Sequence, residues 1–147
     1  MFHISRRILG TGAGASLLAS SLRVPLAKAQ GRSEAPALHQ KFIDAAERMR
    51  RGAVAAGDQS YGAVVVRDGQ IIGWGPSRVV VDRSPDAHAE RVAIWDALKN
   101  YGSPGLAGAV LYSTSRACPV CEATAARAGV SRMYWGAKGV DAGTPTG

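Results

Sequence analysis

Two short groups of residues carry the side chains best suited to chemistry: His88-Ala89-Glu90 and, thirty positions after the histidine, Cys118-Pro119-Val120-Cys121. One imidazole and two thiolates form a good ligand set for Zn2+, and three protein ligands leave the fourth tetrahedral position for water. Water so placed becomes a nucleophile near neutral pH. A carboxylate two residues from the histidine, Glu90, is then positioned to move a proton without binding the metal. Each group also has a plainer reading. A histidine beside a glutamate is an ordinary surface pair, and Cys-x-x-Cys serves equally as a redox dithiol or as half of a structural zinc site.

The elements that must position these residues sharpen the choice. Both groups fall at the start of expected helices, about Ala87 to Asn100 and Cys118 to Ala128. There the positive end of the helix dipole favours thiolate, and the i, i+3 spacing sets both sulfurs on one side of the first turn. Upstream, Leu38, Phe42, Ala45, Met49 and Ala53 recur at helical steps, which predicts an amphipathic helix over 37–56 closed by Gly57-Asp58. Tyr61 to Val66, the turn pair Asp68-Gly69 and Gln70 to Trp74 read as a β-hairpin. Val79-Val80-Val81 is expected to prolong or edge the sheet. Ala109 to Ser113 and Arg132 to Trp135 supply two more strands, Ser103-Pro104-Gly105 a loop, and the tail from Gly136 an irregular end. In the second helix Val92, Ile94, Trp95 and Leu98 are the expected core, while His39 is expected to be exposed and Asp82 and Asp86 to form turns. Strands alternating with helices imply parallel pairing in the second half, so the fold class is α/β: a mixed sheet with helices on both faces.

His-Ala-Glu followed by Cys-x-x-Cys resembles the paired signature of the zinc deaminases. The chain is similar to the cytidine deaminase-like superfamily, and within it to the branch holding guanine deaminases and tRNA adenosine deaminases. The residues that carry this are Tyr61-Gly62-Ala63-Val64-Val65-Val66, Ser84-Pro85-Asp86-Ala87-His88-Ala89-Glu90, Leu111-Tyr112-Ser113 leading to Cys118-Pro119-Val120-Cys121, and Tyr134-Trp135-Gly136. The resemblance implies a three-layer α/β/α fold, zinc held by His88, Cys118 and Cys121, and Glu90 as proton shuttle. It places the backbone N–H groups of Ala89 and Cys118 at the substrate or the water, with Ser77 and Tyr61 as further substrate contacts. The reaction it implies is hydrolytic deamination of a small amino-heterocycle, guanine-like or cytosine-like, with release of ammonia. It also implies dimers through helices near the metal, for which Trp95, Met133 and Trp135 are candidate contacts.

The chain departs from the family pattern at four places. Ala117 stands where proline precedes the first cysteine, and Arg116 where this branch often has glutamate. Ser77, in Gly75-Pro76-Ser77-Arg78-Val79, replaces an asparagine that would hydrogen-bond the base. The sequence stops at Gly147, short of the C-terminal elements that close the pocket or dock nucleic acid in relatives. All four bear on what is bound, and none removes a ligand or the shuttle. Two rival readings stay open: a periplasmic thiol–disulfide protein using Cys118 and Cys121, and a zinc-binding relative without catalysis.

Charge excludes little and suggests less. The net charge is +7, but four of the eighteen basic residues fall in 1–29, where there is no acid, and the other fourteen face eleven acids. That excess is too small to imply a polyanionic partner, so no nucleic acid is expected. Two cysteines cannot build a disulfide scaffold. Residues 1–29 resemble a twin-arginine signal peptide: Ser5-Arg6-Arg7 heads a glycine-rich apolar run to Leu22, and Ala27-Lys28-Ala29 offers the small residues a signal peptidase accepts. The run is too short to span a bilayer. The expected organisation is therefore a signal over 1–29 and a zinc deaminase domain over 30–147. The twin-arginine export machinery becomes a partner, and the location periplasmic or otherwise exported. Export in the folded state would let metal load before an oxidising compartment could join the thiols.

Overall fold

The computed structural model describes residues 34–102 and 105–147. The expected signal segment lies outside the described residues.

Phe42, Ala45, Ala46 and Ala53, all nearly inaccessible, form the inner stripe of α1 (Glu34–Ala55), and Leu38 at its start is 45% exposed. Past the end of α1, Gly57 takes φ +80°, and the next amide, Asp58 N–H, returns to Ala53 O at 2.9 Å. This left-handed residue is a common way to satisfy the last carbonyls of a helix. β1 (Gly62–Arg67) and β2 (Gln70–Pro76) pair antiparallel across Asp68-Gly69. Both turn residues have positive φ, 51° and 73°, as the type I′ hairpin turn requires.

Five more elements follow: α2 (Ala89–Tyr101), β3 (Val110–Ser113), α3 (Pro119–Ala128), β4 (Arg132–Trp135) and β5 (Val140–Gly143). The sheet order is β2-β1-β3-β4-β5. β3 and β4 run parallel on either side of the α3 crossover, and the other pairs are antiparallel. The mixed sheet is as expected. Alternation along the strands divides its core in two. Val64, Val66 and Tyr112 pack with Phe42, Ile43 and Ala45 of α1, while Ala63, Val65, Leu111 and Met133 pack with α2 and α3. Helices therefore cover both faces, giving three layers.

Contact between α2 and β2 is unusually close because both sides are small. A Cβ at Gly73 would come within 2.2 Å of Ala93 O, and one at Gly75 within 2.1 Å of Ala89 O. Ala89, Ala93 and Ala97, at four-residue steps, make the matching stripe on the helix. This corrects the expected burial on α2. Ile94 is buried, but the close approach turns Ala93 and Ala97 inward, leaves Val92 and Leu98 half-buried and Trp95 39% exposed. Met133 is core at 5% exposure, so it is withdrawn as a dimer contact.

Three further expectations are revised. The tail is not wholly irregular, because Gly136 and Gly139, both at positive φ, turn the chain back to pair β5 with β4. His39 is half-buried, with Nδ1 2.9 Å from the Tyr112 hydroxyl and its ring edge-on to Tyr134. Val79-Val80-Val81 is a turn rather than a strand, and Val80 and Val81 are 55% and 46% exposed.

Asp58 anchors that turn from outside, and the Arg78–Asp82 ion pair closes it from within. Asp58 accepts from Gln59 N–H at 2.7 Å and from the Ser77 hydroxyl, Val80 N–H and Val81 N–H at 2.8 Å each. Burial opposes the charge, but the bonds from Val81, Ser77, Gln59 and Val80 outweigh it and hold the carboxyl at about 2, against 3.8 ordinarily. A depressed folded-state value stabilises fully above 3.8, and that contribution is lost as pH falls through about 2. Asp58→Ala should cost about 2 kcal/mol at neutral pH. Denaturant titrations from pH 7 downward should show the gap to wild type closing across that acid window, and a gap independent of pH would contradict this account.

Candidate metal centre and active site

β3 delivers the chain to the site and β1 fixes where it leaves the sheet. Beyond Ser113, Thr114 N–H donates to Gly62 O at 2.9 Å and Thr114 Oγ1 accepts from Gly62 N–H at 3.1 Å. The chain then turns into α3 with Cys118 as N-cap, its Sγ accepting from Cys121 N–H at 3.4 Å. Pro119 opens the helix, where a missing N–H is harmless. On α2 the N-cap is His88, and its side chain makes no cap bond. The imidazole is therefore directed away from its own helix.

These two N-caps meet. His88 Nδ1 lies 3.7 Å from Cys118 Sγ and 3.5 Å from Cys121 Sγ, and all three donor atoms lie within 4.8 Å of one another. Tetrahedral zinc with Zn–S of about 2.3 Å and Zn–N of about 2.1 Å separates sulfur from nitrogen by about 3.6 Å. The donors fit zinc in kind and in spacing. Cys121 is fully buried; burial, the Glu90 carboxylate and Cys118 all push its thiol up, and Arg91 opposes them. Without a cation the site is therefore electrostatically unfavourable to thiolate; a bound dication reverses that balance.

Glu90 sits in the first turn of α2 and is 5% exposed. Burial raises its carboxyl pKa against the pull of its own N–H, His88 and Cys121. Ala89, the first residue of α2, carries an N–H with no partner inside the helix. Tyr61, 46% exposed, lines an open pocket with Gln59, Ser60 and His88. The structure thus gathers His88, Cys118, Cys121 and Glu90, and sets Tyr61 at the mouth. Ser77 is placed differently: it is 2% exposed, and its hydroxyl donates to Asp58. Arg116 lies in a separate cleft with Glu122 and Trp135.

Residues 36–137 match the cytidine and deoxycytidylate deaminase zinc-binding region. This chain belongs to that family. Guanine deaminase of Bacillus subtilis is 35% identical over 98 residues, which are 66% of this chain and 58% of that protein. Its crystal structure superimposes with a TM-score of 0.64 at 34% identity, covering 67% of this chain and 64% of the other. A tRNA-specific adenosine deaminase of Agrobacterium fabrum is 34% identical over 97 residues, or 66% of this chain and 64% of that protein. The chain thus spans less than two thirds of the relatives' lengths. These homologues are hydrolases of C–N bonds, the family binds zinc, and His88, Cys118 and Cys121 are positioned as its ligands. An imidazole between the two sulfurs does not favour the thiol–disulfide reading.

Two residues that serve the site escaped the sequence reading. Asp58 organises the loop ahead of the pocket, and no local motif ties it to Val80 or Val81. Arg91 bonds Asp86 Oδ1 at 2.6 Å and lies over the Trp95 ring, tying α2 to the segment that brings in His88. The centre predicts one zinc per chain, with both thiols resisting alkylation until a chelator is added. Cys121→Ser should weaken zinc by at least about 100-fold. Thiols that react at full rate in the zinc-loaded protein would contradict the assignment.

Proposed function

We propose that this chain is a zinc-dependent hydrolytic deaminase of a small amino-heterocycle, nucleobase or nucleoside in type. The observation that carries the reading is Glu90: a buried carboxylate, beside the three donors and with its own charge disfavoured by burial. A structural zinc site has no use for such a group. When bound, zinc supplies the Lewis acidity that makes water a nucleophile near neutral pH. Glu90 takes the proton that water gives up as its oxygen bonds to the amino-bearing ring carbon. It delivers that proton to the ring nitrogen, and a second transfer to the amino group lets ammonia leave as the carbonyl forms. Tyr61 offers an exposed ring face against which a flat heterocycle stacks. The N–H of Ala89, at the positive end of α2, faces oxygen or ring nitrogen on the substrate. Partners of this reading are a small molecule and water, without nucleic acid.

Ammonia release by the zinc-loaded protein from guanine, cytosine, adenine and their nucleosides tests it. Glu90→Gln should lower the rate by about 10²- to 10⁴-fold with zinc content unchanged. A variant keeping more than a tenth of wild-type activity, or wild type inert toward the whole panel, would sink the reading.

We further propose that the domain acts after export, on the strength of Ser5-Arg6-Arg7 and Ala27-Lys28-Ala29. Cell fractionation should find the chain outside the cytoplasm, and Arg6→Lys with Arg7→Lys should retain it inside. Export unaffected by the double change would exclude the twin-arginine route.

A further inference from the structure

The two segments that carry the metal donors hang from one corner of the sheet. There Gly62, the first residue of β1, is paired with Pro76, the last residue of β2. Toward Cys118, both backbone groups of Gly62 are clamped to Thr114, shortly ahead of the first sulfur. Toward His88, Arg78 N–H donates at 3.0 Å to the carbonyl of Ala87, the buried residue next to the imidazole. Just outside the corner the two paths are joined, because Ser77 N–H donates to Tyr61 O at 3.1 Å.

Asp58 closes this corner. Its Oδ1 accepts from Gln59 N–H at 2.7 Å and from the Ser77 hydroxyl at 2.8 Å, and its Oδ2 accepts from Val80 N–H and Val81 N–H at 2.8 Å each. Gln59 O in turn accepts from Tyr61 N–H at 2.8 Å, so the carboxylate reaches Tyr61 from one side and Ser77 from the other. Along the loop that runs on to His88, Ser84 N–H donates to Val79 O at 3.0 Å and Ala87 N–H to Ser84 O at 3.1 Å. Hydrogen bonds therefore connect Asp58 to the residue beside the imidazole. An amide at position 58 would turn its own N–H groups toward other donors.

We infer that Asp58 is a positioning residue for the metal centre: it holds the corner from which the His88 and Cys118 segments leave, and so sets the imidazole against the sulfurs. It touches neither metal nor substrate. Loosening the corner displaces His88 Nδ1 from its places 3.7 Å from Cys118 Sγ and 3.5 Å from Cys121 Sγ. Donors moved off bonding distance hold zinc less tightly and present a different ligand field. This role belongs to the zinc site of the deaminase reading and is measured without turnover.

The nearly isosteric Asp58→Asn is compared with Val66→Ala, a core change on the α1 face outside these bonds. The measurements are zinc affinity, by competition with a chromogenic chelator, and the visible spectrum of the Co2+-substituted proteins. Asp58→Asn should bind zinc about tenfold more weakly than wild type and shift the Co2+ spectrum. Val66→Ala should lose stability yet stay within about twofold of wild type in affinity, with the spectrum unchanged. Wild-type affinity and spectrum in Asp58→Asn would overturn the role, and so would equal changes in both variants. Should Asp58→Asn not fold, Ser77→Ala removes one of the four donors to the carboxylate. It should weaken zinc by about threefold and shift the spectrum, and no change there would overturn the role. The expected zinc and Co2+ results uphold the role of Asp58 even where wild type releases no ammonia from the panel, an outcome that sinks the deaminase reading alone.

Discussion

Bringing an imidazole and two sulfurs within 4.8 Å is the constraint around which the molecule is arranged. The ligands sit on two helices that are separate in sequence, so both N-termini must arrive at one point. β3 and its clamp to Gly62 set one of them, and the glycine-lined contact of α2 on β2 sets the other. Two positive helix ends then face the same small volume, which favours anionic ligands. Burial around Cys121 and Glu90 works in the opposite direction, against every negative charge in the site. A divalent cation removes that conflict, so metal and fold are expected to stabilise each other.

Glu90 and Cys121, beside the donors, are both buried. The pocket at His88 is open and is lined by the segment between α1 and β1. That segment is ordered by Asp58, whose carboxylate gathers amides from both ends of a stretch running from Gln59 to Val81. Ser77 gives Asp58 a hydroxyl donor, which makes position 77 part of the loop's scaffold.

Most of the fold was legible because it follows from local pattern. The β-branched apolar run ending in Val64, Val65 and Val66 specified a strand, which the structure buries on both faces. Asp68-Gly69 specified a hairpin turn, and helical spacing specified α1. The misjudged elements share a physical cause. Burial on α2 was assigned by side-chain size, whereas the sheet beneath it is glycine, which draws alanines inward and leaves Trp95 outside. Val79 to Val81 have strand-forming side chains, yet two of their amides answer to a carboxylate more than twenty residues away. β5 has only four residues and exists because β4 offers an edge to pair with.

Ligand identity was set by the sequence alone. A histidine followed two residues later by glutamate, and Cys-x-x-Cys at a helix start, are spacings measured within one turn, and no packing is needed to read them. The family followed from those residues and the strands between them. Only the tertiary structure decided what surrounds the metal: that Ser77 is turned to Asp58, that Gln59 borders the pocket and that Glu90 is enclosed. Each of these depends on contacts between segments distant in the chain, where the geometry is settled by how α1, the hairpin and α2 pack together.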